Sequence, residues 1–145
     1  MDYREIAKEL LGKKAELKNA YASLGDELTM LENEKYSVKR CMCDTSVAKG
    51  GGSRYEEYIT NLIYMTDNTG FRRRVVKREL DMIETGMAVL DDYEKDLLET
   101  FFVKKLKKAP EVLSEKWYKE RSQIYADRSS ALIKFTRAVY GVIHL

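Results

Sequence analysis

A single proline, Pro110, occurs among 145 residues, and the apolar residues of this chain recur three and four positions apart. This spacing places side chains on one face of an α-helix, whereas strands need alternating apolar and polar residues. Alternating runs of valine, isoleucine and threonine do not occur. The sequence therefore predicts an all-α fold: a long N-terminal helix plus a helical bundle ending in a C-terminal helix-turn-helix.

The length and composition predict a globular protein outside the membrane. With 44% hydrophobic residues, 145 residues are enough to bury a core. No apolar run approaches the roughly 20 residues that span a bilayer. The first ten residues lack the apolar core of a signal peptide, so we expect a cytoplasmic location.

The first segment, residues 1–43, is predicted to be one long helix with a repeated leucine stripe. The leucines are spaced by seven: Leu10, Leu17, Leu24 and Leu31. Such spacing is typical of a coiled-coil seam, either within one chain or between two chains of a homo-oligomer. It is equally typical of a helix that packs on its own domain, and the sequence leaves both alternatives open.

Residues 44–53 end in a glycine run and predict a flexible linker. Cys41 and Cys43 precede it, and His144 is the sole histidine. Two cysteines one residue apart make a poor zinc half-site without a second cluster. The glycine run lies between helices and lacks the lysine of a phosphate-binding loop. We expect no metal and no cofactor.

Residues 54–145 are predicted to form the helical domain. We expect a break at Asp67–Gly70, a helix from Phe71 to Val89, and a further helix that begins near Asp91 and runs through Phe102. Pro110 suits the first turn of the helix that follows.

The stretch from Glu111 to Phe135 predicts two helices that meet at a tight turn, within a helix-turn-helix at 110–140. The residues expected to be buried are Leu113, Trp117, Ile124, Ala131 or Leu132, and Phe135. Those expected to face outward near the start of the second helix are Arg121, Ser122, Gln123 and Arg128. A recognition helix contacts base edges from its first turns. Arginine pairs with guanine and glutamine with adenine.

Positive charge is concentrated in the same part of the chain. Residues 104–145 hold ten Lys/Arg and four Asp/Glu, a net of +6, whereas residues 1–103 hold sixteen and twenty, a net of −4. Phosphate neutralisation needs such a basic surface, although a solvated lysine face gives the same pattern. The candidate phosphate-contacting residues are Lys104, Lys105, Lys107, Lys108, Lys119 and Lys134.

Two motifs resemble a known group of regulators. The segment EVLSEKW (111–117) is similar to the first helix of a sigma factor region 4 helix-turn-helix, and ERSQIY (120–125) is similar to the start of its second helix. The order of long helix, glycine linker and C-terminal helix-turn-helix resembles phage and prophage regulators of the RinA/ArpU type. That resemblance implies a DNA-binding activator of phage late genes, acting in the bacterial host cell.

Two residues depart from the pattern of that group. Tyr118 stands at the turn position where glycine is usual, so we expect a wider turn. Asp127 stands where an apolar residue is usual, so we expect its carboxylate either to tilt outward or to pair with Arg128 or Lys119.

Our first hypothesis is a sequence-specific transcriptional regulator that binds double-stranded DNA. The N-terminal helix would then mediate dimerisation or contact RNA polymerase. The first alternative is a small-terminase-like component for DNA packaging, and the second is a helical protein–protein interaction module without nucleic acid. The sequence has no nucleophile elbow, zinc constellation or phosphate-binding loop, so we expect it not to be an enzyme.

Overall fold

The computed structural model describes residues 1–44 and 52–144, and all of these residues outside short turns are helical. No strand occurs within these two ranges, which confirms the predicted all-α fold class. The elements are α1 (Tyr3–Gly12), α2 (Lys14–Asp44), α3 (Gly52–Ala88), α4 (Asp92–Leu98), a π-helical segment (Glu99–Val103), α5 (Ala109–Trp117) and α6 (Arg121–Tyr140).

The long N-terminal helix is present, but Lys13 divides it into α1 and α2. The Lys13 amide donates to the carbonyls of Glu9 at 3.1 Å and Leu10 at 3.2 Å, which closes α1. The Lys13 carbonyl accepts from the Leu17 amide at 2.8 Å, so α2 begins at once. The rings of Tyr3 and Tyr140 lie 5.6 Å apart where α1 packs on α6. The heptad spacing contains no information about that contact.

The helix break predicted at Asp67–Gly70 is wrong, because α3 runs without interruption from Gly52 to Ala88. Thr69 is buried, and its hydroxyl lies 3.3 Å from a carboxylate oxygen of Glu27 on α2. The helix penalty of polar residues and glycine is at most about 1 kcal/mol each. Packing of this face on α2 therefore outweighs the local preference for a break.

Helix α4 begins where the acidic pair predicts. The Glu94 amide donates to the Asp91 side chain at 2.7 Å, and the Asp91 amide donates to the Glu94 side chain at 3.4 Å. This reciprocal capping box satisfies two amides that the first turn leaves unpaired. The helix does not continue regularly to Phe102, since it widens into the π-helical segment after Leu98.

Contacts divide the chain into two compact units. Unit 1 comprises Met1–Lys18 and Arg78–Leu145, and unit 2 comprises Asn19–Lys77. These limits fall inside α2 and α3 rather than at the predicted domain limits, 43 and 54. Residues 45–51 of the predicted linker and the side chains of Cys41 and Cys43 lie outside the described residues, so the linker stays a prediction.

Unit 2 is an antiparallel hairpin formed by parts of α2 and α3. The Tyr55 hydroxyl donates to the Val38 carbonyl at 3.2 Å towards the end at which the chain passes from α2 to α3. The Arg73 guanidinium lies 4.0 Å from the centre of the Tyr21 ring near the other end. These contacts hold the two long helices side by side over most of the unit.

The leucine stripe packs within the chain. Leu10 and Leu17 are buried in unit 1, Leu31 is buried in unit 2, and Leu24 is half-buried there. Of the two alternatives left open by the sequence, packing on the same chain is the one that this structure has. Oligomerisation through these four leucines stays a prediction.

The contact between α3 and α6 in unit 1 depends on the absence of a side chain at Gly86. A Cβ atom at this position would lie 2.4 Å from the Phe135 ring and 2.6 Å from a Val139 methyl group. Real Cβ atoms do not approach other atoms so closely. Phe135 is itself fully buried, so it has no free space into which it can retreat.

We expect Gly86→Ala to lower the free energy of unfolding by about 1–3 kcal/mol, because the added methyl overpacks the helix contact. Gly70→Ala is the matched control, since its added Cβ would meet nothing closer than 3.9 Å. That control should raise stability by roughly 0.5–1 kcal/mol through helix propensity alone. Urea unfolding of both variants measures the difference, and a stabilised Gly86→Ala would contradict the close contact.

Candidate nucleic-acid interface

A three-residue turn, Tyr118–Glu120, joins α5 to α6. Tyr118 has φ 55° and ψ 43°, the left-handed conformation that glycine usually adopts at the end of a helix. The Lys119 amide donates to the Ser114 carbonyl at 3.3 Å, and the Ser114 hydroxyl donates to the Lys119 carbonyl at 2.5 Å. The expected wider turn is therefore wrong, because Tyr118 takes the glycine conformation instead.

The two helices pack on α4 through a small apolar cluster. Leu97, Leu113 and Ile124 are fully buried in it, and Trp117 packs against them. Burial of the other predicted core residues is also confirmed, for Ala131, Leu132 and Phe135. Pro110 lies in the first turn of α5, as predicted. The cluster fixes the direction in which the first turn of α6 projects.

Asp96 on α4 anchors the end of α5. Its carboxylate accepts from the Trp117 indole at 2.7 Å, from the Lys116 ammonium at 2.8 Å and from the Thr100 hydroxyl at 3.3 Å. Burial alone would raise the pKa of Asp96, but the hydrogen bonds from Lys116 and Trp117 outweigh it and lower the pKa below its usual value.

Asp127 on α6 has three partners of its own. It accepts from the Tyr93 hydroxyl at 2.7 Å and from the Gln123 amide at 2.8 Å, and its carboxylate lies 3.5 Å from the Lys119 ammonium. The hydrogen bond from Tyr93 is the main cause that lowers the pKa of Asp127. Of the expected alternatives, pairing with Lys119 is confirmed, while the outward tilt and the pairing with Arg128 are wrong.

Three of the four candidate base-contacting residues are exposed at the start of α6. Ser122 is exposed to solvent. Arg121 forms an ion pair of 2.5 Å with Glu111 of α5, and both side chains are at least half exposed. Gln123 is exposed as well, although its amide nitrogen donates to Asp127.

The prediction that Arg128 faces outward is wrong. Its guanidinium carbon lies 4.8 Å from the centre of the Phe101 ring and 5.1 Å from that of Tyr125, and the side chain is half-buried. A cation held over aromatic faces is stabilised by about 0.5–2 kcal/mol. Arg128 therefore joins α6 to the π-helical segment, and its contact with a base stays a prediction.

The candidate phosphate-contacting lysines differ in their surroundings. All six are exposed: Lys104, Lys105, Lys107, Lys108, Lys119 and Lys134. Lys105 has φ 52°, and its ammonium lies close to Gly12 of α1. Lys134 pairs with Glu94 at 2.9 Å, which raises the pKa of Lys134. Lys104, Lys107 and Lys108 form no ion pair with any described side chain, so they are the most available for a phosphate.

The middle of α6 exposes a face of small residues that the sequence argument missed. Ala126, Ser129 and Ser130 are all exposed, and their spacing places them on the same side of the helix as Ser122. Small side chains permit close approach of a helix backbone to a flat partner. The only sequence signal was the position of these residues opposite the buried Ile124 and Ala131.

The described part of the chain offers no group of three or more His, Cys, Asp or Glu side chains that could hold a metal ion. Among the described helices, none combines the length and the apolar character needed to cross a membrane. Comparisons with protein-family models, curated proteins and solved structures find no match to this chain. The resemblance to phage regulators therefore rests on the sequence motifs alone.

We expect Tyr118→Gly to raise the free energy of unfolding by about 0.5–1 kcal/mol, since glycine adopts this conformation without the Cβ clash. The Tyr118 side chain is 95% exposed, so its removal loses little packing. Tyr118→Ala, which keeps the Cβ, should show no such gain. The urea midpoints of both variants measure the effect, provided that the dependence of the unfolding free energy on urea is unchanged. Equal stabilisation by alanine would contradict the backbone explanation.

We expect stability to fall as pH drops below the usual aspartate pKa of 3.8. The pKa values of Asp96 and Asp127 are lowered by folding, so their contribution is fully present above 3.8 and is lost as pH falls through the folded-state values. Unfolding free energies at pH 7, 5 and 3 measure this. Asp127→Asn should be less stable at pH 7, with the difference from wild type shrinking at pH 3. A stability difference between Asp127→Asn and wild type that stays the same at all three pH values would contradict the lowered pKa of Asp127.

Proposed function

We propose that this chain is a sequence-specific DNA-binding transcriptional regulator of phage or prophage genes, with α6 as its recognition helix. The observation that carries the proposal is the exposed first turn of α6, which presents Arg121, Ser122 and Gln123 beyond a tight turn. Base edges in the major groove are contacted from that part of a recognition helix. The resemblance described above adds the phage late genes as the expected targets.

The contacts that now hold Arg121 and Gln123 leave both side chains exposed at the start of α6. An exposed ion pair such as Arg121–Glu111 contributes at most about 1 kcal/mol. A good bidentate contact to a base contributes about 1–3 kcal/mol of discrimination. Gln123 uses only its amide nitrogen towards Asp127, so its carbonyl oxygen remains available. Both side chains can therefore exchange exposed contacts within the chain for contacts to bases.

Attraction to the phosphate backbone is assigned to the lysines that precede α5. Lys104, Lys107 and Lys108 are exposed and form no ion pair with any described side chain. Each cation that neutralises a phosphate releases condensed counterions and steepens the dependence of affinity on salt. These lysines would strengthen binding to every DNA sequence alike, while Arg121 and Gln123 would distinguish between sequences.

The test begins with selection of bound fragments from random DNA, which identifies a preferred site. We then expect Arg121→Ala to weaken binding to that site by about 1–3 kcal/mol while leaving binding to random DNA almost unchanged. Lys107→Ala should weaken both alike and reduce the slope of log K against log salt by about 1. Titrations by fluorescence anisotropy at several salt concentrations measure all of these quantities.

The matched control is Lys39→Ala, which removes an exposed lysine from unit 2. It should leave affinity and salt slope unchanged. Equal losses from Lys39→Ala and Lys107→Ala would indicate attraction by net charge alone. Absence of any binding at low salt would rule out the DNA-binding proposal.

A further inference from the structure

Besides the apolar face that packs on α2, helix α3 carries an exposed apolar stripe on the side that faces away from α2. The stripe consists of Tyr64, Phe71 and Val75, with exposed fractions of 70%, 59% and 46%. Their spacing of seven and four residues places them on one face. The buried Leu62 and Thr69, which lie on the α2 side, are on the opposite face. Exposed apolar side chains that share one face of a helix are found at protein–protein contacts.

The stripe has the spacing of a coiled-coil seam. Asn68 lies between Tyr64 and Phe71, so seam positions occur at intervals of four, three and four residues through Val75. That alternation keeps one face of a helix against a partner helix. The occupant that fits this face is therefore another helix with a matching seam.

The charges beside the seam match a second copy of this same helix. Asp67 and Arg74 lie seven residues apart along one edge of the stripe, and both are exposed. Neither forms an ion pair with a described side chain. In an antiparallel pair of identical helices, Asp67 of each copy faces Arg74 of the other. A two-fold axis therefore produces this ion pair twice.

We propose that this stripe is a homodimer interface, in which α3 pairs antiparallel with α3 of a second copy of this chain. Tyr64 of each copy packs on Val75 of the other, Phe71 lies near the two-fold axis, and the two Asp67–Arg74 pairs flank the seam. This surface is distinct from the leucine stripe, which is covered within one chain. The proposal does not depend on DNA binding.

Sedimentation equilibrium of the full chain tests the dimer. We expect wild type to approach twice the chain mass of 16.9 kDa at micromolar concentration. Phe71→Glu should raise the dimer dissociation constant by about 100-fold, since a carboxylate would be buried in the seam. Circular dichroism establishes that the variant remains helical. A wild-type chain that stays monomeric at all concentrations would overturn the proposal, as would a larger ring, because an isologous contact closes at two copies.

Two matched comparisons locate the interface. Tyr64→Ala should weaken the dimer by about 10-fold, whereas Tyr36→Ala should leave it unchanged, although Tyr36 on α2 is equally exposed at 69%. Asp67→Arg and Arg74→Asp should each weaken the dimer, and the double variant should restore it. Equal effects at Tyr36 and Tyr64, or a double variant weaker than both single variants, would reject the antiparallel interface.

Discussion

The buried contact between Leu97, Leu113 and Ile124 is the constraint on which the candidate interface depends. Helix α5 has nine residues, and a helix of that length is marginal in water without tertiary packing. Leu113 and Ile124 lie on either side of a three-residue turn, and both pack against Leu97 of α4. Because the contact fixes the angle between α5 and α6, it also fixes where Arg121 projects. Its loss would leave the first turn of α6 without a defined position.

Two aromatic rings and two carboxylates lie beside this apolar cluster and link α4 to α5 and α6. The rings of Tyr93 and Trp117 lie 5.1 Å apart in an edge-to-face arrangement beside the apolar cluster. Each has a polar end that needs a partner when it packs against a core. Asp96 accepts from Trp117, and Asp127 accepts from Tyr93. Asp127, which departs from the pattern of the regulators that this chain resembles, thus accepts from a tyrosine 34 residues earlier in the chain.

The sequence predicted those features that local periodicity and capping determine. Burial of Leu113, Ile124 and Phe135 followed from helical spacing, and the start of α4 followed from the acids at Asp91. The features that it missed depend on distant partners. Arg128 is held by Phe101, a residue of the π-helical segment. Continuity of α3 through residues 67–70 depends on α2, and the division at Lys13 accompanies packing on α6. A single sequence without structural neighbours carries no signal for such pairings.

Asp127 bears directly on the proposed approach of α6 to DNA. An isolated carboxylate on a recognition helix would repel phosphate, but the Lys119 ammonium lies 3.5 Å away and compensates its charge. Two neutral donors, Tyr93 and Gln123, also bind it. If Gln123 turned towards a base as proposed, the hydrogen bond from Tyr93 and the ion pair with Lys119 would remain. In the proposed complex, Asp127 would therefore keep two partners after it releases Gln123.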